Sequence, residues 1–272
     1  MKRLTFISTA ALLMMATQVI FAQNTKQVAN KMSSTMRGMY VMQKQTIDSG
    51  AGIQPMENEQ WKVFTDKYVM FARRASPTDS SAVFGIGTYR MENGKILESM
   101  FYGDAGPVKQ EFQLAVERQN DGYTQVIDFP RSEKHYLLTE IYQRSNRNTI
   151  SPLDGAWHLD KRVYIDKEGK SETIQSADSA KQFKIYDSGN FMWASSYFNK
   201  PSNKWASSFG YGTFTMDGSN QITETNAQST YASLLIGKPV KITFNVNGKD
   251  SYEQVIEDAD GAKQIEYYSR LK

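Results

Sequence analysis

The chain has 272 residues and a formal charge of +3, which falls to +1 without Lys2 and Arg3, so no basic footprint for nucleic acid or an acidic membrane surface remains. It has no cysteine and only two histidines, His135 and His158, which excludes disulfides, thiolate metal sites and a cysteine nucleophile and leaves little for a histidine metal centre. With 15 Tyr, 14 Phe and 4 Trp, the composition favours strands, where aromatic and β-branched side chains fit a pleated, half-buried surface.

Lys2 and Arg3 precede the uncharged apolar run LTFISTAALLMMATQVIFA, which ends in small Ala22. This pattern predicts a signal peptide over residues 1–22, and hence a periplasmic or secreted protein with no stable membrane anchor after cleavage. An uncleaved anchor is the rival reading, because about twenty apolar residues can span a bilayer. With no cysteine, no lipid can be attached to one after cleavage. Residues 23–35 follow as an N-terminal segment, loose or a short helix; an isolated twelve-residue helix is marginal in water.

From there the chain is written twice. RGMY at Arg37 stands where DGAW stands at Asp154, WKVFTDKYVMF at Trp61 resembles FKIYDSGNFMW at Phe183, and FGIGTYRMENG at Phe84 parallels FGYGTFTMDGS at Phe209. YTQVI at Tyr123 matches YEQVI at Tyr252, and EIYQR at Glu140 matches EYYSR at Glu266, all in the same order. Each copy has domain size, too long for a solenoid unit. The expected organisation is a first domain over 36–146, a polar linker over 147–152 and a second domain over 153–272.

Within each copy, short β-branched and aromatic runs alternate with turn signals such as Asn93-Gly94, Asp217-Gly218 and Asp260-Gly261, the pattern of an antiparallel meander. About eight strands must deal with exposed edges; closure into a barrel removes them, and an open sandwich is the alternative. In FGIGT and FGYGT the third glycine of a dinucleotide fingerprint is missing, so Gly85, Gly87, Gly210 and Gly212 read as room for bending or packing. DADGAK lacks the further oxygen ligands of a calcium loop and reads as a hairpin turn.

The second copy opens with Gly155-Ala156-Trp157 and ends with Arg270; the first opens with Gly38-Met39-Tyr40 and ends with Arg144. Gly-X-Trp on a first strand with Arg late on the last strand resembles the lipocalin and wider calycin superfamily, in particular lipocalin-like domains of uncharacterised secreted bacterial proteins. The resemblance implies all-β architecture: two tandem antiparallel up-and-down barrels, each closed at one end by the Arg lying across the aromatic ring. A cation over an indole contributes about 0.5–2 kcal/mol. Tyr40 is a weaker partner than Trp157. The resemblance also implies a cup for a small molecule.

Alternation turns Tyr268 and Glu266 to the same face as Arg270, and Tyr142 and Glu140 to that of Arg144. Two readings are open. The Tyr-X-Arg pairs bind a ligand carboxylate, or Glu, Tyr and Arg satisfy one another while closing the barrel, since a buried charge needs a partner. The aromatic hairpin FMWASSYFNKPSNKWASSF of the second copy supplies the other candidates, Trp193, Tyr197 and Trp205, as binding residues at a barrel mouth or as barrel wall. Neither histidine has an acid and a serine at recognisable spacing, and no G-X-S-X-G or H-E-X-X-H pattern occurs. The expectation is a non-enzymatic, cofactor-free and metal-free binding protein for a small hydrophobic or amphipathic molecule. The alternative is an interaction protein with side-chain-filled barrels and a protein or glycan partner.

Overall fold

The computed structural model describes residues 36–76, 79–131, 134–231 and 233–272; the expected signal peptide and the segment after it lie outside them. The first copy forms β1 (Gly38–Asp48), β2 (Ile53–Met56), β3 (Trp61–Phe64), β4 (Tyr68–Ser76), β5 (Asp79–Glu92), β6 (Lys95–Gly103), β7 (Gly106–Gln119), β8 (Gly122–Arg131) and β9 (Lys134–Arg144). The second forms β10 (Gly155–Ile165), β11 (Ser171–Gln175), β12 (Ala180–Asp187), β13 (Asn190–Asn199), β14 (Lys204–Met216), β15 (Gln221–Ser229), β16 (Pro239–Asn247), β17 (Ser251–Glu257) and β18 (Lys263–Arg270), with one 3₁₀ turn at Ser233–Leu235.

Among the described residues all strand pairs are antiparallel, β3 to β9 and β12 to β18 each pair with the next strand along the meander, and the first strand pairs with the last in both copies (β1 with β9, β10 with β18), so both sheets close. β2 and β3 lie end to end along one edge of β1, as β11 and β12 do along β10, and each pair acts as one interrupted strand. Each barrel therefore has eight staves, and the sandwich alternative is excluded.

The turns follow the residues. Asn93 (φ 51°) and Gly94 (φ 74°) make the left-handed pair that a two-residue hairpin needs. At Asp217-Gly218 the expected two-residue turn is replaced by a four-residue loop between Met216 and Gln221. There the Asp217 carboxylate accepts from Thr215 and Thr223 on the flanking strands and so ties the loop from its side chain. Asp258 to Ala262 forms the expected hairpin turn.

Alternation buries one side-chain row inside each barrel, and at one face of each barrel the other row is buried too. In β3, Lys62 and Phe64 point inward while Trp61 and Val63 point out, and all four are buried. The outward row packs against the other barrel in a single cluster that contains Met39, Trp61, Val63, Met70, Ala72 and Phe84 together with their repeat equivalents Ala156, Phe183, Ile185, Met192, Ala194 and Phe209. Equivalent residues also meet directly: the backbone N–H of Ala82 donates to Ser207 Oγ (3.2 Å), which donates back to the Ala82 carbonyl (2.6 Å). The barrels thus join through the same face of each, as in an isologous dimer.

Candidate functional site

The closed end of barrel 2 is built on Gly155. Its φ of +138° is a conformation that side chains avoid, and a Cβ there would stand 2.0 Å from Arg270 Nη1. The space so freed lets the guanidinium lie 4.0 Å from the Trp157 ring centroid. Arg270 donates to the carbonyls of Asp154 (2.9 Å) and Lys249 (2.7 Å), and Trp157 Nε1 donates to the Leu153 carbonyl (2.7 Å). Barrel 1 repeats the glycine–arginine part of the device with Gly38 (φ +143°), against which Arg144 packs, while Arg144 donates to the Arg37 carbonyl at 2.9 Å; the cation-over-ring contact is a feature of barrel 2. Tyr40 stands in the Trp position, buried and edge-on to Tyr123 (4.9 Å).

Above each closed end lies a buried polar network, and it too is duplicated. In barrel 2, Lys184 pairs with Glu224 (2.7 Å), Tyr186 donates to Glu224 (2.6 Å), Gln254 donates to Glu266 (2.6 Å) and Tyr268 donates to Glu266 (2.7 Å). Arg162 closes on Glu266 at 2.5 Å. Burial pushes the Glu266 carboxyl up, but Arg162 and Lys184 hold it below the usual range, while burial drives the Tyr268 hydroxyl well above its own. The cation of Glu266 is therefore Arg162, not Arg270 as the self-satisfaction reading supposed: Arg270 is spent on carbonyls at the closed end.

In barrel 1 the same positions hold Lys62–Glu98 (2.6 Å) and Glu140, which accepts from Gln125 (2.5 Å) and Tyr142 (2.9 Å). Gln45 replaces Arg162 and donates to Glu140 at 2.6 Å, and Phe64 replaces Tyr186. Tyr142 and Tyr268 are both fully buried and stacked on Tyr123 (4.8 Å) and Tyr252 (4.7 Å). The lower halves of both barrels are thus filled by their own side chains.

Trp193 and Tyr197 share the inner face of β13. Trp193 is half-buried against the barrel 2 core, lies over Gly210, where a Cβ would come within 2.4 Å of its Nε1, and meets Tyr231 edge-on at 6.4 Å. Gly85 makes the same room for Phe71 in barrel 1, whereas Gly87 and Gly212 sit at bulges against the backbone of Ser99 and Thr225, so the packing reading of the glycine pairs holds. Trp205 pairs with Phe198 on the opposite face and packs on Gly106 of barrel 1, so it is not part of the row that contains Trp193. Tyr231, with Leu234 and Leu235, belongs to a β15–β16 connection that barrel 1 shortens to a tight turn at Gly103–Gly106; Tyr231 and Leu234 are 77% and 80% exposed. Two residues along the inner face from Glu224, the buried Asn226 Oδ1 has no hydrogen-bond partner.

A second feature lies between the barrels. A groove of about 310 Å³ is lined by Phe101, Tyr102 and Pro107 of barrel 1 and by His158, Lys181 and Phe183 of barrel 2, among others. The register of β10 and β18 shifts at Asp160, and this bulge aims its carboxylate at His158 Nδ1 (3.2 Å) and at Ser269 Oγ, which donates to it at 2.5 Å. Ser176 Oγ lies 3.1 Å from His158 Nε2. Asp160 stands two residues from His158 on β10 and is turned to it by the bulge, whereas Ser176 is brought in by the β10–β11 pairing, which linear spacing does not show. The Ser176 and Ala177 N–H groups, where an oxyanion hole would form, are spent on the carbonyls of Asp160 (2.8 Å) and Ala180 (3.0 Å). Burial lowers the His158 pKa, so the ring is neutral near pH 7. Among the described residues no group of acidic and histidine side chains is arranged to hold a metal ion, and no helix is long and apolar enough to cross a membrane.

Eight staves, first strand paired to last, and Arg270 across Trp157 decide the architecture. The chain is a tandem of two lipocalin-like barrels. No protein-family model and no curated protein matches it. Among solved structures it is similar to a lipocalin-like protein from Bacteroides uniformis, at 17% identity and TM-score 0.29 over 44% of this chain and 100% of that one. It is also similar to a protein of unknown function of the DUF3598 family from Nostoc punctiforme, at 14% identity and TM-score 0.26 over 87% and 96%.

Proposed function

We propose that this is an exported, periplasmic or secreted, non-enzymatic binding protein, and that it holds a small hydrophobic or amphipathic molecule at the mouth of barrel 2. The observation that carries the reading is the half-buried Trp193 between Tyr231 and the inner face, with Tyr197 beside it and the unpartnered Asn226 oxygen as a polar handle. Tyr268, Arg270, Tyr142 and Arg144 serve this reading as framework, since each is engaged within its own barrel. The test is uptake of the neutral dye N-phenyl-1-naphthylamine by the full chain. Saturable binding that falls at least tenfold in Trp193→Ala and is unchanged in Trp205→Ala supports the site; no saturable binding removes it.

The exposure of Tyr231 and Leu234, above a barrel filled by its own side chains, favours a second reading, in which this apolar patch docks a protein partner. Dye uptake that is absent, with Leu234→Ser lowering retention of the protein on its own envelope fraction, selects that reading.

A further inference from the structure

We infer that the groove between the barrels is a second binding site, separate from the barrel 2 mouth, and that it takes a small aromatic carboxylate, one molecule per chain. Its volume of about 310 Å³ is at the small end of ligand pockets. At the roughly 30 Å³ that a water occupies in liquid, it holds about ten non-hydrogen atoms, the size of one substituted ring.

The walls select the chemistry. Phe101 and Phe183 meet edge to face at 5.9 Å, and His158 tilts against Phe183 at 5.3 Å, which leaves aromatic surface for a further ring. Both His158 nitrogens are engaged, with Asp160 and Ser176, so the histidine offers its ring and not a hydrogen bond. Tyr102 donates to the Asp178 carbonyl and accepts from Ser196. The remaining polar groups on the wall are Lys181 and Asp178, which form an ion pair, and of the two Lys181 is the one that can attract an anion. Its ammonium stands 5.7 Å from the Tyr102 ring centroid, with its side chain 27% exposed. Its partner is Asp178, 2.7 Å away and 85% exposed. An exposed ion pair is weak. A carboxylate carried in on a buried ring displaces the Asp178 carboxylate, which returns to water. One cation selects a monoanion over a phosphate or a dicarboxylate.

The repeat supplies an internal control. The barrel 1 residues equivalent to His158, Lys181 and Phe183 are Val41, Glu59 and Trp61. Glu59 inverts the charge, and the Trp61 indole is stacked on Tyr211 at 5.0 Å and packed on Phe209 at 5.5 Å. The counterpart on the other side of the seam therefore rejects an anion and has its ring position taken by the chain's own tryptophan, which sets the stoichiometry at one.

Titration calorimetry of the full chain with 3-phenylpropionate, against 3-phenylpropanol and 3-phenylpropylamine, tests this. The expected result is one carboxylate bound per chain, with the alcohol and the amine at least tenfold weaker and no competition with N-phenyl-1-naphthylamine. Lys181→Met and the surface change Phe101→Ser each weaken the carboxylate at least tenfold at unchanged melting temperature, while Lys181→Arg retains it. Equal affinity for acid and alcohol, an unaffected Lys181→Met, displacement of the dye, or no heat up to millimolar ligand each overturn the site. The dye experiment stands or falls independently, so failure here is distinct from failure of the barrel 2 reading.

Discussion

Gly155 carries two constraints at one residue: a left-handed φ and a guanidinium where its Cβ would be. That is the physical content of the Gly-X-Trp motif, and it explains why the motif was legible in sequence, since the glycine, the ring and the arginine are all residue types that announce themselves. Lys62 and Lys184 were not legible. A lysine between apolar residues reads as a solvent-facing position, and only barrel closure shows that its face is the lumen, where Glu98 and Glu224 neutralise it. Trp157 is fully buried, bonded through its indole N–H and covered by Arg270. Trp157→Ala is expected to destabilise the protein by about 3–5 kcal/mol, as truncation of a buried aromatic does. Urea denaturation checks it; an unchanged midpoint removes the closure from the stability argument.

At the scale of the element, the inner faces of β1 and β10 differ at one decisive position, Gln45 against Arg162. In barrel 2 the guanidinium neutralises a buried carboxylate; in barrel 1 Glu140 accepts from the neutral donors Gln45, Gln125 and Tyr142. Arg162→Met leaves Glu266 without its nearest cation. Breaking a buried pair from one side costs about 3–5 kcal/mol; with the Arg162 side chain 22% exposed, the low end, about 3 kcal/mol, is expected in the same denaturation assay. The double change Arg162→Gln with Glu266→Gln should recover part of that loss. The hairpin of β13 and β14 shows where strand reading stops. Runs and turns located both strands, but the four-residue connection sets the register that pairs Phe198 with Trp205 and turns Trp205 away from Trp193. A face can be assigned along one strand by alternation; across a loop it depends on a register that composition does not encode.

Across the whole molecule, the seam combines an apolar centre with a charged edge. Arg37 of barrel 1 reaches Asp187 (2.8 Å) and Asp154 (3.8 Å) of barrel 2 as well as Asp66 (3.3 Å) of its own. Burial and then the nearby Asp187 push the Asp154 carboxyl up to about 6. The folded chain thus keeps a proton that the unfolded chain releases near pH 4. Stability from this group is present below about pH 4 and is lost as pH rises through about 6. Asp154→Asn is therefore expected to gain stability relative to the parent on going from pH 4.5 to 7.5, measured by urea denaturation at each pH; a constant difference between the two proteins would contradict it. Duplication and two-barrel architecture were legible, because matched motifs recur in order. The seam was not. An outward row of Trp61, Val63 and Met70 marks a covered surface, but what covers it is the equivalent row from the other copy, more than a hundred residues away in sequence.

The self-matching seam has a consequence for inheritance of change. In a pair of separate identical subunits every substitution arrives twice, so a pocket beside the axis is copied to both sides together with its charge. Joining the halves through the chain between Arg144 and Gly155 removes that obligation and holds the partners at a fixed effective concentration however dilute the protein becomes. Lys181 and Glu59 then occupy mirrored positions with opposite sign, and Phe183 and Trp61 leave one side open and the other plugged. Linkage of this kind lets a symmetric scaffold carry a handed surface.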